Sequence, residues 1–163
     1  SQVSPLGEVR PEIAPGATFR HGLFYVFNLY NHHYGNRVLK AVVSNDCPRY
    51  FYKGYGEAMP AGEYPVLSAY ASSDERSIYL IVINKDPFKS LTAYMEWKGL
   101  AISSHYGAVV RTIHASEVLP NYRDINTPEN QTIVMHEKTI AGVDALMEYT
   151  FPACSITHFE LPR

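Results

Sequence analysis

Sixteen acidic residues are spread along this 163-residue chain. Two carboxyl groups facing one cleft are what glycosidic-bond cleavage needs. Most of the acids stand in turn-forming stretches or alternate with apolar residues, the pattern of outward-facing strand positions. Glu96, in Tyr94-Met95-Glu96-Trp97, lies beside the single tryptophan and reads as one such solvent-facing position. The histidines are His21, His32, His33, His105, His114, His136 and His158. No His-x-x-x-His or Cys-x-x-Cys spacing links them into a zinc set, so neither a metal nor a cofactor is expected. No Gly-x-Ser-x-Gly elbow is present, and Gly54-Tyr55-Gly56 lacks the lysine and the strand-to-helix setting of a phosphate loop.

The remaining chemistry is aromatic. Tyr50, Phe51, Tyr52 and Tyr55 cluster within six positions, with Arg49, Lys53 and Glu57 beside them. Aromatic faces stack on the C–H faces of sugars, and the charged neighbours could bond hydroxyls. Tyr50, Tyr52, Tyr55 and Arg49 are therefore the candidate carbohydrate-binding residues. The plainer reading is a loop packed on its own domain or on a partner. Thirteen tyrosines against one tryptophan suit half-buried strand positions equally well.

These residues need elements to hold them. Residues 1–20 carry Pro5, Pro11, Pro15, Gly7 and Gly16 and read as extended chain. Leu23, Val26, Phe27, Tyr30 and Tyr34 then recur at helical spacing, which predicts one amphipathic helix from Gly22 to Tyr34. His32-His33 would sit at its C-terminus, where the macrodipole favours a cation. Gly35 reads as its C-terminal stop. After Gly35 the period changes to two.

Strands are predicted at 38–44, 50–52, 65–72, 77–84, 90–98, 108–115, 132–138, 146–151 and 155–161. Ser73-Asp74-Glu75-Arg76 is a hairpin turn between two of them. Ile78 to Ile83 is almost continuously apolar and predicts a central strand covered on both faces. The segment Tyr122-Arg123-Asp124-Ile125-Asn126 predicts a loop closed by Asx-type bonds. The fold class expected is mainly β: an antiparallel β-sandwich or jelly roll of eight or nine strands with one N-terminal helix.

Composition narrows the function. The chain is 46% hydrophobic, long enough for one globular core. A net charge of −2 gives no reason to expect nucleic acid or an acidic membrane surface as partner. No apolar run approaches the roughly 20 residues of a bilayer span, and no leader peptide is read at the start. A soluble protein is expected, cytoplasmic or secreted. Cys47 and Cys154 do not make a disulfide scaffold, and Cys154 is expected as a buried thiol in the last strand.

Several short motifs share an order. They are Val9-Arg10-Pro11-Glu12, Phe24 to Tyr30, His33-Tyr34-Gly35, Pro65 to Ala71, Ile83-Asn84-Lys85-Asp86-Pro87, Asn126-Thr127-Pro128-Glu129-Asn130 and the closing Phe151 to Leu161. In this order they resemble the C-terminal end of α-L-arabinofuranosidases of glycoside hydrolase family 51 or a close relative. Gln131 stands where that family usually has proline. The resemblance implies that residues 1–36 are the end of a (β/α)8 barrel and that 37–163 are the C-terminal sandwich. It also implies that the catalytic glutamates belong to the barrel, with no counterpart in this chain.

Three functions follow. The first is a non-catalytic domain stabilising or bordering a catalytic barrel in hemicellulose or arabinan breakdown. The second is an independent module that binds arabinose-containing polysaccharide on coplanar exposed rings. The third is a small complete glycosidase, which would need two carboxylates about 5–9.5 Å apart in a cleft. The helix face of Leu23, Val26, Phe27, Tyr30 and Tyr34 would, without barrel neighbours, pack on the sandwich or on a second copy.

Overall fold

The computed structural model describes residues 20, 22–54, 60–99, 107–115, 126 and 131–163. The helix α1 spans Gly22–His32 and precedes ten strands among these residues: β1 Arg37–Leu39, β2 Arg49–Tyr52, β3 Gly62–Pro65, β4 Leu67–Ser73, β5 Ser77–Asn84, β6 Leu91–Glu96, β7 Ala108–Ala115, β8 Ile133–Ile140, β9 Leu146–Phe151 and β10 Ser155–Pro162. Six of them form one antiparallel sheet in the order β1-β4-β5-β10-β7-β8. Strands β6 and β9 pair in a second sheet, and β2 and β3 in a third.

Two-residue alternation divides the large sheet into two faces. On one face Ile78, Leu80, Val82, Val110, Phe159 and Leu161 meet Met95 and Phe151 of the β6–β9 pair. The rings of Tyr149 and Phe159 meet edge to face at 4.9 Å. This is the sandwich core. Fully burying each such side chain is worth about 1.5–3 kcal/mol relative to exposure. Strand β5 lies between β4 and β10 and is buried almost throughout, as its apolar run predicts.

The opposite face carries α1. Tyr25 and Leu29, one helical turn apart, are buried against Ile113, with Ile133, Met135 and Ile156 around them. This corrects the helix face expected from sequence. Leu23, Phe27 and Tyr30 point outward instead, 39%, 52% and 40% exposed. Leu23 to Phe27 is an unbroken apolar and aromatic run, with Leu29 and Tyr30 after it, so the period alone does not choose the buried side. The helix does pack on the sandwich, through Tyr25 and Leu29 with Phe24 and, from the expected stripe, Val26 beside them.

Three further local readings change. Gly35 is absent from the positive-φ positions, so it is not a left-handed helix stop. A Cβ there would lie 2.2 Å from the carbonyl carbon of Ser73; close approach to β4 is what requires glycine. Cys154 is not a buried strand thiol. It is exposed in the turn before β10, with a φ of 46°. The predicted strand at 38–44 shortens to β1, and β3, unread in the sequence, pairs with β2.

The hairpin turn at Ser73–Ser77 forms as predicted. Both oxygens of Asp74 are used: Oδ1 accepts from the amides of Arg76 and Ser77, and Oδ2 from the Tyr79 hydroxyl. These bonds hold the Asp74 carboxyl below the usual carboxylate range.

Candidate functional site

The β2–β3 hairpin carries the aromatic candidates. Alternation puts Tyr50 and Tyr52 on one face of β2 and Phe51 on the other. Tyr64 of β3 lies directly opposite Tyr50 in the register. Its ring centroid is 6.3 Å from both Tyr50 and Tyr52. The planes are tilted by 38° to Tyr50 and 74° to Tyr52, so the three rings form an edge-contacting cluster and not a flat platform. The Tyr64 hydroxyl donates to the carbonyl of Pro60.

The Lys85 ammonium stands 5.4 Å from the Tyr50 ring centroid. Burial lowers its pKa. Arg49 is committed: Nη2 donates to the Glu63 carbonyl at 2.8 Å, and Nε lies 3.9 Å from the Glu63 carboxylate. The structure therefore brings together Tyr50 and Tyr52 through Tyr64, which sequence reasoning did not single out. Its signal was Gly62-Glu63-Tyr64-Pro65, a single tyrosine between a glycine and a proline. Tyr55 and Glu57 lie outside the described residues.

A polar network occupies the helix-bearing face of the large sheet. Arg111 of β7 donates from Nε to Glu137 and from Nη1 to Glu160, both at 2.7 Å. His33, just after α1, places Nδ1 3.7 Å from Glu160. His158 is fully buried and stacks on Tyr79 at 5.8 Å. Its Nε2 donates to the His33 carbonyl at 2.7 Å, while Nδ1 has no partner among the described residues. Burial above all lowers the His158 pKa to about 4, and Arg111 adds to this. The His33 pKa is lowered too, by burial and Arg111 against the opposing pull of Glu160.

Among the described residues, Glu137 and Glu160 are brought to one group, and that group is an arginine. Both serve as its counter-ions, a structural use. Glu96 is exposed and pairs with Lys98 at 3.0 Å. Among the described residues, no group of three or more His, Cys, Asp or Glu is placed to hold a metal ion.

Two asparagines tie loops to the sandwich. Asn84 is buried, and its amide donates to the carbonyls of Lys89, Phe151 and Pro152. Asn126 is also buried. It donates to the carbonyls of Arg20 and Ile133 and accepts from the Ile133 amide. These bonds reach seven residues forward and 106 back; the rest of the loop expected at 122–126 lies outside the described residues.

This arrangement of a helix-covered six-stranded antiparallel sheet and a smaller facing sheet is a β-sandwich. The chain is similar to part of a GH51 α-L-arabinofuranosidase from Thermotoga petrophila RKU-1, with a TM-score of 0.70 and 22% identity over 91% of this chain and 30% of that one. It is similar to an α-L-arabinofuranosidase from Thermotoga maritima, with a TM-score of 0.70, 23% identity, and 90% and 30% of the two chains covered. A family 51 α-L-arabinofuranosidase from Bifidobacterium longum gives a TM-score of 0.66 and 22% identity over 91% of this chain and 27% of the other. The chain thus spans less than a third of the length of these enzymes. No protein-family model matches it, and no curated protein matches it by sequence. No helix among the described residues is long and apolar enough to cross a membrane.

Proposed function

We propose that this chain is the non-catalytic C-terminal β-sandwich domain of an α-L-arabinofuranosidase-type glycoside hydrolase, bordering and stabilising a catalytic (β/α)8 barrel. The observation that carries this reading is the superposition of nearly the whole chain on less than a third of family 51 enzymes. In this reading residues 1–36 are the end of the barrel, and 37–163 are the sandwich. The exposed helix stripe of Leu23, Phe27 and Tyr30 supports it, because an apolar face of this kind suits contact with a barrel or with a second copy. No residue of the chain is assigned to catalysis.

The test is release of sugar from an aryl arabinofuranoside by the purified chain, with calorimetry against arabinan and arabinoxylan. The expected result is neither turnover nor binding. Turnover would overturn the reading.

A second reading, an independent carbohydrate-binding module, is favoured by one observation: Tyr50 is 39% exposed, with Lys85 beside it and Tyr64 and Tyr52 on the same face. Saturable binding lost in Tyr50→Ala and Tyr52→Ala, and weakened in Arg49→Ala, would establish it in place of the first.

A further inference from the structure

We propose that His114 and His136 form a two-imidazole site for a divalent transition-metal ion of the Zn²⁺ type. The two residues stand on neighbouring strands. His136 is paired with Thr112, and His114 with Val134, so the histidines are diagonal neighbours across the β7–β8 ladder. Both point to the face turned away from α1, since alternate residues of β7 on that side, Ala108 and Val110, join the sandwich core.

Their ring centroids are 5.1 Å apart, with planes inclined by 32°. With Zn–N bonds of about 2.0–2.1 Å and a tetrahedral angle at the metal, two imidazoles on one ion hold their centroids about 5 Å apart. The ring separation of the pair matches this value.

The hydrogen bonding supports the same use. His114 Nδ1 lies 2.7 Å from the carbonyl oxygen of Ala115. A carbonyl only accepts, so Nδ1 carries the proton and Nε2 keeps its lone pair. A ligating histidine is commonly fixed in this way, by donating its other N–H to a backbone carbonyl. His136 is exposed and His114 half-buried, so an ion can reach both. The nearest cation on this face of β8, Lys138, is drawn off over the Tyr149 ring at 5.1 Å. Two protein ligands leave the remaining coordination positions to water, and imidazole nitrogen selects Zn²⁺, Cu²⁺ or Ni²⁺ over Mg²⁺. The site is independent of the proposed function.

The test is calorimetric titration of the whole chain with Zn²⁺, with Mg²⁺ as control, beside His114→Gln and His136→Ala. His136 is exposed, so its replacement leaves the fold intact. One ion per chain is expected, at least ~10-fold weaker in each variant, with shifts confined to these two imidazoles in the NMR spectrum. Binding is expected to weaken in acid, because protons compete for the ligand nitrogens. No saturable Zn²⁺ binding would overturn the proposal. So would binding that both variants retain, which would put the ion on other histidines, or equal binding of Mg²⁺.

Discussion

His158 Nε2 donates a 2.7 Å hydrogen bond to the backbone carbonyl of His33, joining the last strand to the end of the helix across 125 residues. The bond requires only the N–H that a neutral imidazole already has. Protonation would add a charge at Nδ1, which is buried and without a partner among the described residues.

A pH dependence follows from that geometry. The groups facing His158 are Arg111, His33, Glu160 and Tyr79. The folded pKa of about 4 lies below the ordinary value of 6.5. A depressed pKa means stability fully present above pH 6.5 and lost as pH falls towards 4, because the unfolded chain takes up the proton first. The loss amounts to at most about 3 kcal/mol. Urea denaturation between these limits checks it. His158→Gln, which retains an N–H donor, is expected to show a shallower slope; an unchanged slope would place the effect on His33 or elsewhere.

Gly35→Ala should destabilise the fold by about 2 kcal/mol or more, as overpacking against rigid backbone does. The new methyl would meet the Ser73 carbonyl carbon at 2.2 Å, where no side chain can move aside. The amide of Gly35 also donates to the Ser72 hydroxyl, and that bond would be disturbed. Thermal unfolding monitored by circular dichroism is the measurement.

Asn84→Asp changes almost no volume but replaces the donating NH₂ with a second acceptor. Three carbonyls, of Lys89, Phe151 and Pro152, would then face a carboxylate. The expected cost is about 3 kcal/mol, because buried polar groups left unpaired carry the full desolvation penalty. Chemical denaturation should show it, and the loss should ease as acid protonates the new carboxylate.

The two flanks of α1 should respond differently. Leu29→Ala removes a fully buried side chain and should cost about 3 kcal/mol. Phe27→Ser, at a position 52% exposed, should change the stability of a monomer by less than about 0.5 kcal/mol. Light scattering on the Phe27 variant separates the roles of the stripe. A change of mass would mean that copies of the chain meet through it.

Much of the β framework was legible from period-two alternation. The bounds of β7 and β9 match those read from sequence, and the β4–β5 hairpin turns at Asp74 as its residue types demand. Short-range chemistry settles such features. What it could not settle was which neighbour covers a surface. Tyr25 and Leu29 were as apolar as Phe27 and Tyr30, and only Ile113, Ile133 and Met135, far on in the sequence in two other strands, selected them.

The candidate site was legible to the same degree. Tyr50 and Tyr52 were marked by composition, but Tyr64 reaches them only through the β2–β3 register. The His33–His158 bond and the His114–His136 pair likewise join residues with no fixed spacing. Cys154 failed for a different reason. It is itself the turn residue at positive φ, so it stands before the strand that the apolar pattern extends back to.

The six-stranded sheet ends in β1 on one side and β8 on the other. Strand β1 is only three residues long, and β8 presents Glu137 and Lys138 at exposed positions. A short edge and a charged edge are poor templates for a strand from another molecule. Among the described residues, both ends of this sheet are thus guarded against cross-β pairing, and a second molecule would meet them through side chains.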